Sequence, residues 1–374
     1  MNLVICTNHS YPHVGGSEKV VQEISESMVN DFGCDCSIIS LTVQKEFVYN
    51  KVKYYTCPRN FNTFFKQLEI LKIDHVFVYS DCFYHWQNMM AKSEKISCTK
   101  SIALVGMNNM PPGSYLNKIF LNKIKQFKII THSNTGKDYN WCKNNNVDVS
   151  VIPNSVNFQE FNGQKNNSKF KNKYGINTKY LILCVANFFP GKGQEFLPLV
   201  FRNVYESIKD FTLVAICSTI KYPLAKYLQE NFERSLQVEK FQYRMLVDIP
   251  REDVINAFYD ADVFVFPSQQ EVAPLVILEA MASRTAWVAQ PVGTIPFLRG
   301  GVTTQKGEID KRGNMLLSKN ILEEFSQNLK NVLTDQSLKT FLGEDGYNDV
   351  NKNYNWQIIK KMYCDFFIRK DKYE

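Results

Sequence analysis

The sequence predicts an α/β protein made of two doubly wound parallel-sheet domains that face a central cleft. Three observations carry this expectation. The chain has 374 residues, enough for two domains of ordinary size. Short apolar runs alternate with longer amphipathic stretches, the rhythm of a parallel sheet with helices on both faces. That rhythm restarts after a polar, Asn- and Lys-rich interruption from about Asn162 to Lys179, whose composition marks a linker plus a surface helix.

In the first series, the runs Leu3–Cys6, Cys36–Leu41, His75–Ser80, Ser101–Val105, Ile129–His132 and Val149–Ile152 have strand length, and Glu18–Val29 has helical periodicity. The first run leads through Val14-Gly15-Gly16-Ser17-Glu18 into that helix. Gly15 and Gly16 let the backbone approach a ligand closely and the helix start supplies amides, although such a pair is also plain turn chemistry. The full G-x-G-x-x-G dinucleotide fingerprint is missing, which argues against a nicotinamide dehydrogenase. The second series comprises Leu181–Ala186, Thr212–Cys217, Val263–Phe266 and Trp287–Ala289, followed by helices near Leu322–Leu333 and Trp356–Phe367.

The stretch from Asp260 to Pro296 organises the rest. It reads as a strand, a polar turn, a helix opening near Pro274, and a second strand, hence a βαβ unit. Its turn falls at the carboxyl end of a parallel sheet, where such folds bind ligands. Proline is tolerated in the first helical turn, and the following amides of Leu275 and Val276 point outward with the positive end of the helix dipole. That suits a phosphate or diphosphate. Glu279 is four residues past Leu275, on the same face and about 6 Å further along the axis, the offset between a pyrophosphate and the ribose hydroxyls. Glu271, on the turn, reaches the other end of the same ligand. Glutamates on helices usually face water, but Glu279 lies among Val276, Ile277, Leu278, Ala280 and Met281.

The spacing Glu271-x7-Glu279, followed by Ala280-Met281-Ala282 and preceded by Ala261-Asp262-Val263-Phe264-Val265-Phe266-Pro267-Ser268, closely resembles the retaining glycosyltransferases of family four. The resemblance covers nearly the whole chain. It implies the GT-B fold: an acceptor-side Rossmann-like domain (1–165), a nucleotide-sugar-binding one (166–345), and a last helix (346–374) crossing back to the first. It implies that Glu279 holds the ribose and Glu271 the donor sugar. After the strand Leu181–Ala186 the family shows a Lys-Gly pair that Lys192-Gly193 matches, so Lys192 is expected to neutralise the departing diphosphate, whose charge grows in the transition state. Asn187 stands where many members carry arginine, which leaves the phosphate clamp one fixed charge short. The Gly15-Gly16 loop is expected to face the donor. A family histidine near the anomeric carbon is replaced here by Asn108, and Glu271-Val272-Ala273-Pro274 lacks the usual glycines after the first glutamate.

Composition narrows the setting. With 44% apolar and 22% charged residues the chain is globular, and a net charge of +7 suits anionic ligands or an anionic membrane surface without being a nucleic-acid signature. Ten cysteines, with no CxxC pair, read as free thiols in a reducing compartment. The start reads as a first strand and not a signal peptide, and no stretch of 18 apolar residues spans a membrane, so a cytoplasmic or peripheral location is expected. Five histidines lack metal-ligand spacing. Asp260-Ala261-Asp262 is expected to cap the helix before it rather than bind metal, since the resemblance implies chemistry without a bound metal or cofactor. Tyr115–Lys128 interleaves apolar residues with lysines, a pattern that fits an anionic membrane and equally a helix packed on its own sheet.

The resemblance implies a retaining transferase that moves a hexose-type sugar from a nucleotide-diphosphate donor, UDP-sugar favoured, to a hydroxyl of a glycan or lipid-linked glycan acceptor. A GT-B phosphorylase or epimerase, and a non-catalytic nucleotide-sugar-binding partner of another transferase, stay open as alternatives.

Overall fold

The computed structural model describes residues 1–13, 15–58, 60–80, 96–105, 122–219, 223–311 and 314–368. Asn108, Val14, and the 115–121 part of the lysine-rich stretch lie outside them. The chain divides into two compact units: Met1–Asn154 together with the chain from Gln357 onward, and Ser155–Trp356.

In the first unit β1 (Asn2–Thr7), β2 (Asp35–Ser40), β3 (Phe47–Tyr49), β4 (Val52–Thr56), β5 (His75–Ser80), β6 (Thr99–Leu104), β7 (Lys128–Thr131) and β8 (Ser150–Val151) form one sheet, ordered β3-β4-β2-β1-β5-β6-β7-β8. Helices α1 (Gly16–Asn30), α2 (Phe61–Ile70) and α3 (Lys137–Asn144) belong to the same unit. Among the described residues of this sheet, only the β3–β4 pair is antiparallel. Its two-residue turn places Asn50 and Lys51 at φ 48° and 67°, the left-handed geometry that matches strand twist in tight hairpins. Just after β7, the buried His132 donates from Nδ1 to Ile152 O at 2.7 Å, which leaves Nε2 to accept from the Tyr79 hydroxyl at 2.8 Å. Burial pushes the imidazole pKa down to about 4, with the Ile152 carbonyl opposing it.

The second unit holds β9 (Tyr180–Val185), β10 (Phe211–Cys217), β11 (Gln242–Val247), β12 (Val263–Phe266), β13 (Trp287–Ala289) and β14 (Gly301–Thr303), all parallel, ordered β11-β10-β9-β12-β13-β14. Its helices are α4 (Lys169–Lys173), α5 (Leu197–Tyr205), α6 (Pro223–Gln237), α7 (Arg251–Asp260), α8 (Leu275–Ala282), α9 (Lys319–Thr334) and α10 (Gln336–Asn353). Alternation along the strands makes two cores. Leu181, Leu183, Val214, Phe264, Phe266 and Trp287 face one cluster with residues of α7 and α8. Ile182, Cys184, Leu213, Val263, Val265 and Val288 face the other, under α5, α6 and α9. Successive side chains of a strand point to opposite faces, so a strand buried on both faces is apolar throughout, as β12 is. Each fully buried Phe or Leu contributes roughly 1.5–3 kcal/mol.

The expected boundaries shift. The second unit begins at Ser155 rather than 166 and ends at Trp356 rather than 345. Residues 155–168 are not a linker: Phe161 is buried in the second unit's core, and Lys165 Nζ donates to Phe258 O, Ala261 O and Thr285 Oγ1. At the other end α10 runs through 346 without a break and buries Leu342 and Val350. The two ends of the unit meet, with Val156 N donating to Tyr354 O at 2.9 Å and Trp356 N to Val156 O at 3.0 Å. Asp260 also acts differently from the expectation. Its carboxylate accepts from the amides of Ser168, Phe170 and Lys171, so it caps α4 and not α7, its own helix. Asp262 accepts from Leu181 N and from Lys339 Nζ.

The last helix, α11 (Trp356–Ile368), passes into the first unit. Ile359, Tyr363 and Phe367 are buried, the Phe367 ring lies 5.1 Å from those of His75 and Phe77, and Lys360 pairs with Asp31 at 2.9 Å.

Candidate active site

Three loops at the carboxyl edge of the second sheet are bound to one another by backbone contacts. The loop after β9 meets the loop after β12: Gln269 N donates to Gly191 O at 2.7 Å. Gly193 takes φ 75° and packs against Pro267, whose carbonyl carbon would stand 2.8 Å from a Cβ there. The loop after β13 joins them, Thr294 N donating to Val272 O at 2.9 Å. Gly293, at φ 57°, lies so close that a Cβ would stand 2.5 Å from Val272 O and 2.7 Å from Glu271 O. Both positions combine a left-handed backbone with no room for a side chain, and glycine alone satisfies both.

This scaffold brings Lys192 and Glu271 together. Lys192 Nζ lies 2.5 Å from Glu271 Oε1, which also accepts from Ser268 Oγ at 2.8 Å. Ser268 is fully buried, and its hydroxyl sits between Glu271 and the carbonyls of Gly191 and Gln270. The Lys192 ammonium stands 6.0 Å from the centroid of the Phe266 ring. The pair therefore holds opposite charges on two loops that cannot drift apart.

Helix α8 starts at Leu275 with Pro274 as its N-cap, and no side chain caps it. Leu275 and Val276 are the first two helical residues. The amides of an uncapped helix start attract anions. One turn in, Glu279 is buried at 8% exposure, while the neighbouring Ile277, Leu278, Ala280 and Met281 fill the core. Its carboxylate is not bare: Arg251, the first residue of α7, donates from Nη2 to Glu279 Oε1 at 2.5 Å and to Glu160 Oε2 at 2.9 Å. Burial alone acts to lower the Arg251 pKa, but the carboxylates of Glu279 and Glu160 hold it above its ordinary value.

Asn187 has a structural engagement that the sequence did not reveal. Its Oδ1 accepts from Ser218 N at 2.8 Å, linking the loop after β9 to the end of β10. Gln194 reinforces that loop, donating to Ala186 O and Asn187 O. Gly15 and Gly16 stand in the first unit, as N-cap and first residue of α1, with extended backbone at Gly15. Arg251, Glu160 and Ser268 were not singled out from the sequence. A Ser three residues before Glu271 was a usable signal, whereas Arg251 and Glu160 carry no spacing that distinguishes them from solvated charges.

Two parallel-sheet α/β domains of this construction define the GT-B architecture of glycosyltransferases. Sucrose-phosphate synthase from Thermosynechococcus elongatus superposes on the chain with a TM-score of 0.77, at 14% identity and over 98% of both chains. Anabaena HepE in complex with UDP and glucose superposes at 0.76, with 13% identity and 98% of both chains covered. Residues 166–349, which lie wholly within the second unit, match the family Glycosyl transferases group 1, so this stretch is a group 1 glycosyltransferase domain. Its sequence relatives include the phosphatidylinositol N-acetylglucosaminyltransferase GPI3 subunit of Saccharomyces cerevisiae, 22% identical over 98% of this chain and 82% of that protein. A second is the UDP-Gal:alpha-D-GlcNAc-diphosphoundecaprenol alpha-1,3-galactosyltransferase of Escherichia coli, 25% identical over 59% of this chain and 55% of that protein.

Proposed function

We propose that the protein transfers a hexose-type sugar, with retention, from a UDP-sugar to a hydroxyl of a glycan or lipid-linked glycan. The observation that carries this reading is the Lys192–Glu271 pair, held at 2.5 Å in the same loop cluster that leads into the uncapped start of α8. A nucleoside diphosphate leaving group needs a cation and directed amides where its negative charge grows, and a donor sugar needs an acceptor for its hydroxyls. Lys192 with the Leu275 and Val276 amides supplies the first, and Glu271 the second. Glu279 holds the ribose. The route is a same-face one through an oxocarbenium-like ion pair, in which the departing phosphate helps take the acceptor proton. It asks for no protein nucleophile and no bound metal.

The relatives' printed names, which include a UDP-galactose-dependent transferase and a transferase acting on phosphatidylinositol, support a UDP-sugar and a lipid-linked acceptor. A peripheral contact with an anionic cytoplasmic membrane face accords with such an acceptor and with the net charge of +7. The test is a thermal-shift screen of wild type and Glu279→Ala against UDP, GDP, ADP and CMP. A nucleotide at about 100 times its dissociation constant stabilises by roughly 2.7 kcal/mol, or a few degrees. UDP is expected to shift wild type and not the variant. Absence of a shift with every nucleotide removes the donor site and favours a non-catalytic role.

A further inference from the structure

We propose that Arg251 is a positioning residue: through its bond to Glu279 Oε1 it fixes the Glu279 carboxylate so that the remaining oxygen meets the ribose hydroxyls. This rests on the reading of Glu279 as the ribose-holding group and assigns how that group is aimed. Three segments distant in sequence converge on the guanidinium. Glu279 comes from α8, Glu160 from the loop that opens the second unit, and Arg251 itself from the start of α7. Arg251 gives Nη2 to both carboxylates and Nε to Glu160 Oε2 at 3.2 Å, and its guanidinium carbon lies 5.6 Å from the Phe161 ring centroid. Among the described residues, Arg251 is the side chain bonded to the Glu279 carboxylate.

The placement breaks a local rule. The first turn of a helix carries the positive end of its dipole and favours acids, and α7 does have Glu252 and Asp253 there. An arginine as the very first residue works against α7, so its presence answers a need elsewhere. That need is visible at Glu279: a carboxylate at 8% exposure inside an apolar helix requires a hydrogen-bonded counter-charge to offset its burial and to hold a single rotamer. A planar guanidinium provides both charge and direction, which an ammonium does not. Glu160 completes the device. By taking Nε and sharing Nη2 it holds the arginine from the far side, so the fork cannot swing off Glu279. Arg251 and Glu160 also line a cavity of about 540 Å³ with Asn162, Asn256 and Tyr259.

The experiment measures affinity by calorimetry for UDP, GDP and ADP and for their 2′,3′-dideoxy forms. The full chain is used as wild type, Glu279→Ala, Arg251→Met, Arg251→Lys and Glu160→Gln, with melting temperatures recorded without ligand. Wild type is expected to prefer the ribose form of its nucleotide by about tenfold or more, the worth of one hydrogen bond to a charged group. Glu279→Ala should erase the preference. Arg251→Met should cut it to about threefold or less while affinity for the dideoxy form holds, Arg251→Lys should restore part of it, and Glu160→Gln should weaken it by a smaller factor. If Arg251→Met folds poorly, Glu160→Gln and Arg251→Lys carry the same comparison. An undiminished preference in Arg251→Met, or an equal loss for both nucleotide forms, overturns the positioning role and leaves Glu279 in place. A preference that survives Glu279→Ala, or no nucleotide binding to wild type, overturns the ribose assignment and this inference with it.

Discussion

Glu271 is an internal competitor for the Lys192 ammonium, and that makes Glu271→Gln informative. Lys192 is pinned to Glu271 at 2.5 Å, with side-chain exposures of 29% and 12%. Before the ammonium neutralises a diphosphate it has to leave that carboxylate. A pair partly open to water is worth about 1 kcal/mol after screening, a factor of roughly five in an equilibrium constant. Glutamine is isosteric and keeps an oxygen for the Ser268 hydroxyl, so the loop geometry stays while the attraction on Lys192 disappears. UDP should therefore bind Glu271→Gln about fivefold tighter than wild type, by titration calorimetry at low ionic strength. The gain should shrink as salt shortens the Debye length toward about 3 Å at 1 M. Turnover of the sugar donor, followed as UDP release, should fall by about a hundredfold if, as proposed, the same carboxylate serves the donor sugar. Unchanged or weaker UDP binding in the variant would refute the reasoning: Lys192 would then not be the diphosphate's cation.

Three further outcomes are expected. Gly193→Ala places a Cβ onto the Pro267 carbonyl at φ 75°, and should cost about 2–4 kcal/mol, read as a melting temperature several degrees lower together with lost UDP binding. His132, neutral in the fold with a pKa of about 4 against an ordinary 6.5, contributes stability that is full above about pH 6.5 and lost as pH falls towards 4. The unfolded chain binds the extra proton in that window, so denaturant midpoints should drop by the equivalent of about 3 kcal/mol, and His132→Gln should flatten that limb. Arg284, just past the Ser283 C-cap of α8, takes φ 54° with its guanidinium 3.5 Å above the Tyr347 ring and 2.9 Å from Glu344. Arg284→Ala keeps the backbone strain and loses the contacts, costing about 1 kcal/mol in urea titrations, whereas Arg284→Gly loses both and should stay within about 0.5 kcal/mol of wild type.

What the sequence could and could not disclose follows from the range of the forces involved. β12 and β13 form at the residues expected because a strand buried on both faces is a continuous apolar run between turns. The β3–β4 hairpin escaped, since three- and five-residue strands around Asn50-Lys51 leave too short an alternation to register. Lys192 and Glu271 were legible one by one, Glu271 through its spacing from Glu279 and Lys192 through the Lys-Gly pair after β9, but their contact was not. Arg251 and Glu160 were not, because they lie 91 positions apart in sequence and each looks like an ordinary surface charge until the fold closes on them. The same holds for Asp260. An acid at a helix end suggested a cap, but the helix it caps lies 90 positions away in sequence. The polar stretch before α4 was mistaken for a linker because its anchors, Lys165 among them, are polar contacts to distant carbonyls rather than an apolar stripe.

The meeting of Val156 with Tyr354 and Trp356 makes the second unit an uninterrupted insertion into the first. The order of synthesis then has a fixed consequence. On the ribosome, the nascent chain completes the second unit while the first still lacks α11, and with it Phe367, whose ring packs on His75 and Phe77, and Tyr363, which stacks on Phe367. The first unit waits, with an apolar face uncovered, for a helix that follows the whole of the second unit in the chain. A premature stop just after position 356 would release a chain whose second unit is whole and whose first unit is the part exposed to chaperones and proteases.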